Sequence, residues 1–258
     1  GRCRLVVEKD GVSAYSSAAC IGQGMGTVIT QIICETTGLP PEQVHYQAPD
    51  TALAPNAGNT TASRQTLFTG EATRRAAADL AKALATSSLT ALVGTEFLGE
   101  YTGVTDKLGS DKEHPVSHIA YGYATHVVDL DENGKISTVL AAHDVGRAIN
   151  PLSVEGQIEG GVLMGLGYAL TEDFPLVDGK PTAKFATLGL FRANLAPEVT
   201  SILVEKSHSE LAAGAKGIGE ICSIPTAPAA QLAYYNYDGV FRTKLPLENT
   251  FYKPKKVK

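Results

Sequence analysis

The sequence of 258 residues contains no tryptophan, two methionines and four cysteines. The cysteines show neither a CxxC pair nor a Cys/His cluster with the spacing of a zinc site, so a metal centre built from them is not predicted. We interpret Cys3, Cys20, Cys34 and Cys222 as reduced, mostly buried thiols of an intracellular protein.

Long apolar stretches and a signal peptide are also missing, which favours a cytoplasmic protein without membrane association. The net charge of −5 argues against nucleic acid as the main partner. The chain begins with Gly rather than Met, as a subunit, a processed piece or an expressed fragment would. A short basic tail, interrupted by Pro254, is formed by Lys253, Lys255, Lys256 and Lys258.

The residues that are present predict an α+β fold. Alternating apolar and polar residues around the turn at 9–11 predict a hairpin over 2–20, and the turn at 131–134 predicts a second one over 119–143. Irregular strand–helix order and antiparallel hairpins favour α+β over a βαβ fold. We expect two lobes, about 1–116 and 117–258, and helices near 28–38, 70–85, 153–170 and 225–236.

The segment 213–220, AGAKGIGE, is the most informative part of the sequence. Glycines at positions 214, 217 and 219 allow positive φ and a close approach to a bulky group. Glu220 ends this bend, just before a predicted helix. The arrangement suits a general base held beside something large and flat, and it equally suits a tight turn with a solvated acid.

Two further loops carry polar groups in front of predicted helices. The GQGMG segment at 22–26 lacks the GxGxxG spacing of a dinucleotide site, but its N–H groups suit an oxygen-rich or anionic ligand, and Gln23 adds an amide donor. Arg64 beside Ser63 suits a phosphate, whereas Thr61 and Ser63 are also typical helix caps.

The helix predicted over 153–170 contains five glycines, each costing about 0.5–1 kcal/mol relative to alanine. Such a helix requires that a sheet or a cofactor packs closely against the face that carries the glycines. His143 beside Asp144 is the nearest approach to an orienting pair, and no hydroxyl has a convincing partner for a hydrolytic triad.

Four motifs in order, IGQGMGT, TTASRQ, DVGRAINP with VEGQIEGG, and KGIGE followed by Pro225, extend over nearly the whole chain. With them the sequence resembles the molybdenum hydroxylases, which include xanthine dehydrogenase and aldehyde oxidoreductase. The match corresponds to the C-terminal half of the molybdopterin-binding subunit, so that 1–258 form its second molybdenum-cofactor-binding region. Within the family the sequence is most similar to bacterial xanthine dehydrogenases, including the selenium-dependent kind.

The resemblance implies oxidative hydroxylation of a purine such as xanthine, or of a related N-heterocycle, at a molybdenum–molybdopterin centre. Glu220 matches the family's general base, and no side chain is implied as a metal ligand. The cofactor-binding residues that the resemblance implies are Gly22, Gln23, Gly24, Met25, Ala62, Ser63, Arg64, Gln65, Gln157, Lys216, Gly217, Ile218 and Gly219.

The resemblance also implies partners. Molybdopterin, including its cytosine dinucleotide form, would pass electrons to 2Fe-2S clusters and FAD on other chains or domains. The first molybdenum-binding domain of the family has no counterpart in this sequence, so we expect the isolated chain to be inactive. An aldehyde oxidoreductase and a non-catalytic partner subunit of the same fold are the alternatives, and the substrate and the choice of sulfido or selenido ligand stay open.

Overall fold

The computed structural model describes residues 1–184 and 186–253, which fall into two compact units. Unit 1 consists of 1–122, 145–154 and 205–217, and unit 2 consists of 123–144, 155–204 and the chain from 218 onward. The segments alternate along the chain, so neither unit is one continuous stretch. Lys255, Lys256 and Lys258 of the basic tail lie outside the described residues.

Unit 1 is built on a sheet of four strands in the order β3-β2-β1-β4. The strands are β1 (Arg2–Glu8), β2 (Gly11–Tyr15), β3 (Val44–Tyr46) and β4 (Glu96–Glu100). Strand β1 pairs antiparallel with β2 and β4, whereas β3 pairs parallel with β2. The first predicted hairpin is confirmed, although its second strand ends at Tyr15 instead of near residue 20.

Two helices pack on this sheet, α1 (Met25–Thr37) and α2 (Gln65–Leu84). Helix α1 buries Val28, Ile29, Ile32 and Ile33, as their spacing predicts, and ends at Gly38 with φ 76°. Helix α2 begins before the predicted start at residue 70. A Cβ atom on Gly99 of β4 would lie 1.8 Å from the backbone oxygen of Ala72, so α2 packs directly on the sheet.

Unit 2 contains a sheet of three strands in the order β5-β6-β9. Its strands are β5 (Ala124–Leu130), β6 (Ile136–Asp144) and β9 (Glu198–Val204), and a separate two-stranded ribbon consists of β7 (Leu176–Val177) and β8 (Lys180–Pro181). The antiparallel pairing of β5 with β6 confirms the second predicted hairpin. Strand β9, which the sequence analysis did not identify, pairs parallel with β6.

The other two helices are α3 (Pro151–Leu170), whose first four residues belong to unit 1, and α4 (Thr226–Asp238). Helix α4 packs against β5 in unit 2, where the buried Tyr234 donates its hydroxyl to the carbonyl of Gly134 at 2.6 Å. Mixed sheets with four α-helices in the described residues confirm the α+β class. Among the described residues, none of the helices is long and apolar enough to cross a bilayer.

Candidate functional site

Arg64 and Gln65 hold the loop that precedes α2. Arg64 donates from Nη1 to the carbonyl oxygens of Ala57 at 3.0 Å and Asn59 at 2.9 Å, and its guanidinium carbon lies 4.7 Å from the ring centre of Phe68. The buried Gln65 donates from Nε2 to the same Asn59 oxygen at 3.1 Å. These contacts fix the planar guanidinium of Arg64, which occupies the N-cap position of α2 without a side-chain capping bond.

Ala62 and Ser63 are held in a strained backbone conformation. Their φ angles are 50° and 52°, a left-handed region that costs a residue with a side chain of order 1–3 kcal/mol. Gly217 packs against this strained pair, since a Cβ atom there would lie 1.9 Å from the backbone oxygen of Ser63. The structure therefore brings the predicted segments 62–65 and 216–217 together, at a distance that only glycine permits.

The segment leading to Lys216 is held by Glu71 of α2. Residues 212–214 are consecutively left-handed, with φ of 48°, 57° and 90°. Glu71, which is 1% exposed, accepts the N–H of Ala212 at 3.0 Å and pairs with Arg74 and Arg75 at 2.8 Å each. Burial would raise the pKa of Glu71, but these hydrogen bonds outweigh it and hold the pKa below its ordinary value.

The DVGRAINP motif supports the same segment from the other side. Lys216 donates its N–H to the carbonyl of Val145 at 3.1 Å, and Arg147 donates its N–H to the carbonyl of Gly214 at 3.0 Å. A Cβ atom on Gly146 would lie 2.2 Å from that Gly214 oxygen. Two motifs that the sequence separates by more than sixty residues thus form one hydrogen-bonded pair of chain segments in unit 1.

A cavity of about 230 Å³ in unit 1 is lined by these segments. Five predicted cofactor-binding residues contribute to its wall, together with apolar groups from α2 and a polar segment at 117–122. Arg64 and Lys216 bring positive charge, and Ser63 brings a hydroxyl, a combination that suits an anionic group such as phosphate. The predicted residues in the wall are Ala62, Ser63, Arg64, Lys216 and Gly217.

The loop at 22–25 does not line this cavity, and its polar groups are used within unit 1. Gln23 donates from Nε2 to the carbonyl of Ala19 at 2.9 Å, and the same oxygen accepts the hydroxyl of Thr60 at 3.2 Å. Met25 is 1% exposed, so its side chain belongs to the core. Gly24 begins α1 with φ 80°.

The N–H groups at the start of α1 face a thiol of the chain itself. A hydrogen bond from Gly22 is the main reason that the pKa of the exposed Cys20 lies below its ordinary value, against a smaller effect of burial, with further N–H groups from Met25, Gly24 and Gly26. The sequence predicts that the N–H groups at this helix start bind an anionic group. Within the chain itself, the thiol of Cys20 occupies part of that role.

Four other predicted residues belong to unit 2: Gln157, Ile218, Gly219 and Glu220. Glu220 is exposed and directly precedes a 3-10 helix, Ile221–Ser223, with its own carbonyl accepting the N–H of Ser223 at 3.2 Å. The buried Cys222 donates its thiol to the carbonyl of Ile218 at 2.7 Å. Glu220 thus lies on a short segment, 218–223, that is held by hydrogen bonds between its own residues.

Glycines of α3 anchor that segment in unit 2. A Cβ atom on Gly161 would lie 2.4 Å from Cβ of Cys222, and one on Gly165 would lie 2.5 Å from Cβ of Thr226. The close packing predicted for the glycine-rich helix is confirmed at these two positions. Gly156 and Gly160 face open space within the described part of the chain, with Gln157 half-buried between them.

Comparison with known proteins places these features in a family. The profile of the molybdopterin cofactor-binding domain matches residues 1–93 and 85–197. The gamma subunit of the 6-hydroxypseudooxynicotine dehydrogenase complex of Paenarthrobacter nicotinovorans is 30% identical over 92% of this chain, and a putative xanthine dehydrogenase molybdenum-binding subunit of Escherichia coli (strain K12) is 29% identical over 95%. The solved aldehyde oxidoreductase from Desulfovibrio gigas superposes on 94% of the chain with a TM-score of 0.76 and 26% identity.

The chain spans only part of these proteins. It covers 35% and 38% of the two sequence relatives and 29% of the solved structure.

Proposed function

The chain belongs to the molybdopterin cofactor-binding domains of the molybdenum hydroxylases, and we propose that it is part of an enzyme that oxidatively hydroxylates a purine such as xanthine or a related N-heterocycle. The observation that carries the proposal is the cavity of unit 1, because its wall combines two of the family motifs, TTASRQ and KGIGE, which lie far apart in the sequence. The names of the relatives, among them xanthine dehydrogenase subunits, favour the purine over the aldehyde.

The residues of the cavity fit one end of the cofactor. Its volume lies below the roughly 300–1,000 Å³ of pockets that enclose a whole drug-sized ligand, so it suits a single group of the cofactor. Arg64 and Lys216 would neutralise a phosphate, Ser63 would donate a hydrogen bond, and Gly217 would let the backbone approach. When bound, molybdopterin supplies the redox chemistry that side chains lack, while the protein supplies placement and proton transfer.

The roles of the other predicted residues differ in how directly they would act. Gln23 and Gln65 donate from their amide groups to the carbonyls of their own loops. We propose that these bonds set the shape of the cofactor site and that both side chains also face it. Gly22, Gly24 and Met25 would offer backbone N–H groups, and Gln157 would offer an amide from α3. Ile218 and Gly219 continue the chain from the cavity wall to Glu220.

We assign Glu220 the role of general base, which accepts a proton at its carboxylate during the hydroxylation. It lies three residues beyond Gly217 in the chain, on a segment whose position is fixed by the contact of Cys222 with Gly161. A firmly anchored backbone suits a base, since proton transfer depends on placement.

Glu220→Gln in the assembled enzyme tests this assignment. We expect turnover to fall by about 10²–10⁴-fold, with molybdenum and pterin content unchanged, because the amide cannot accept the proton. Glu198→Gln, an exposed carboxylate at the start of β9, is the matched control and should retain full turnover. An unchanged rate in Glu220→Gln would rule out the role, and comparing xanthine with an aldehyde as substrate would separate the purine from the aldehyde alternative.

We further propose that the chain works with the remaining part of a molybdenum-binding subunit and with 2Fe-2S and FAD chains or domains. The support is the share of the relatives that it spans, about a third, and the naming of the relatives as subunits of complexes. The isolated chain would then be inactive, and the cofactor would be molybdopterin or its cytosine dinucleotide form. Four unpaired cysteines favour a reducing compartment such as the cytoplasm.

A further inference from the structure

The cavity of unit 1 has a polar wall that no motif assigns, at residues 117–122. The hydroxyl of Ser117 lies 2.9 Å from Nδ1 of His118 and 3.1 Å from the hydroxyl of Tyr121. The rings of His118 and Tyr121 meet edge to face, with centroids 5.7 Å apart. All three side chains line the same cavity as Arg64 and Lys216.

The rest of the structure holds this wall in position. Asp106 donates its N–H to the carbonyl of Val116 at 2.7 Å and accepts the N–H of Val116 on its carboxylate at 2.8 Å, which closes the loop immediately before Ser117. On the other side, Ile119 packs with Leu67 in a small apolar cluster of unit 1. The backbone is thus held on both sides of Ser117 and His118, whose side chains are exposed.

The hydrogen bonds of Ser117 to His118 and to Tyr121 can each run in either direction, because a hydroxyl or an imidazole nitrogen can donate or accept. In the direction from Tyr121 to Ser117 to His118, the single proton of Ser117 is donated to Nδ1. The neutral imidazole then carries its own proton on Nε2, where it is a donor. Nη1 of Arg64 already donates to the carbonyl oxygens of Ala57 and Asn59, so a further donor in the wall would serve one of the three terminal oxygens of a phosphate.

We infer that Ser117, His118 and Tyr121 form a phosphate-binding wall of this cavity, in which Nε2 of His118 donates to an oxygen of a phosphate monoester that Arg64 and Lys216 neutralise. Ser117 and Tyr121 are positioning residues, since they act by setting the imidazole. That the phosphate belongs to molybdopterin rests on the proposed function.

Titration of the full chain with inorganic phosphate tests the inference without the cofactor. At ionic strength held constant with sodium chloride, the imidazole NMR signals of His118 should shift with saturation, while those of His114 should not. His114 is a matched control because it is exposed in the same loop and does not line the cavity. His118→Ala should weaken phosphate binding about tenfold, read from the amide signal of Gly217, because a hydrogen bond to a charged group is lost.

Ser117→Ala provides the second variant, since it removes the relay and leaves the imidazole. It should move the nitrogen shifts of His118 toward a mixture of tautomers and weaken phosphate binding by less than His118→Ala does. Equal responses of His118 and His114 to phosphate, or undiminished affinity in His118→Ala, would overturn the inference.

Molybdopterin content separates this inference from the proposed function. In the assembled enzyme, His118→Ala should lower the pterin content while His114→Ala should keep it. A wild-type enzyme without pterin would overturn the proposed function and the assignment of the phosphate to molybdopterin, whereas the phosphate titration would still decide whether the wall binds phosphate. If the wild-type enzyme contains pterin and the His118→Ala variant retains all of it, the inference of a phosphate-binding wall is overturned. The proposed function is then unaffected.

Discussion

At the scale of single residues, the candidate site depends on positions where one added carbon atom does not fit. Gly217→Ala should lower the free energy of unfolding by about 1–3 kcal/mol, because its Cβ atom would lie 1.9 Å from the backbone oxygen of Ser63. Urea unfolding of the chain measures the change. Gly156→Ala, at a helical position facing open space, is the control and should not destabilise. Equal stability of Gly217→Ala and wild type would contradict the close contact.

The sequence predicts some of these residues and not others. The glycines of 213–220 indicate unusual backbone, and the structure confirms a left-handed Gly214 and a close approach at Gly217. The role of Glu71 is not predictable from the local sequence, because its partner Ala212 is distant in the chain, although two arginines three and four residues after Glu71 indicate a helical ion pair. The position of His118 is unpredictable for the same reason, since only folding brings it to the wall that contains Arg64.

At the scale of elements, helix α3 combines glycines that are packed with glycines that are open. Gly161→Ala should destabilise the chain by about 1–3 kcal/mol, because Cβ of Cys222 lies in the way. Gly160→Ala should stabilise it by about 0.5–1 kcal/mol, because alanine favours the helix and nothing described lies within 4 Å. The denaturant midpoint should therefore fall for Gly161→Ala and rise for Gly160→Ala. Destabilisation of both variants to the same degree would contradict it.

The elements that the sequence predicts are those with local signals. Both hairpins have turn residues between alternating strands, and α1 has apolar residues at helical spacing with a terminal glycine. Strand β4 lies in a stretch of scattered Gly, Ser and Asp residues, and its partner β1 is more than ninety positions away. Strand β9 pairs parallel with β6 without a turn between them, so only its alternating pattern was available to reveal it.

At the scale of the whole molecule, a buried histidine pair makes stability depend on pH. In unit 2, Nε2 of His126 lies 2.8 Å from Nε2 of His143, and Nδ1 of His126 lies 3.1 Å from the hydroxyl of Thr226. Among the described residues, none is a hydrogen-bond partner of Nδ1 of His143. Burial, and secondarily the charge of His143, lowers the pKa of His126 from 6.5 to about 4.

Acid should therefore destabilise the fold. Between pH 6.5 and about 4 the unfolded chain binds a proton at His126 that the folded chain does not, so stability is complete above pH 6.5 and falls as the pH drops through this window. We expect a loss of about 2 kcal/mol, measured by urea unfolding at a series of pH values. His126→Gln should flatten this dependence, and a wild-type stability that is constant from pH 6.5 to 4 would contradict the account.

The family of the whole chain is predictable from its motifs, because they are spread along the sequence and keep the family's order. Family membership follows from that order and is confirmed. The α+β class, which follows from the antiparallel hairpins and the irregular order of strands and helices, is confirmed as well. The meeting of 62–65 with 216–217 required the structure, because no local pattern at Ser63 or Gly217 specifies a partner so far along the chain.

The most direct test of the central claim is the molybdenum and pterin content of this polypeptide purified from its native source, with intact mass and co-purifying chains recorded. We predict molybdenum and pterin in amounts equal to the chain, together with iron–sulfur and flavin partners. A complete native complex that contains neither molybdenum nor pterin would contradict the claim and favour a non-catalytic partner of the same fold.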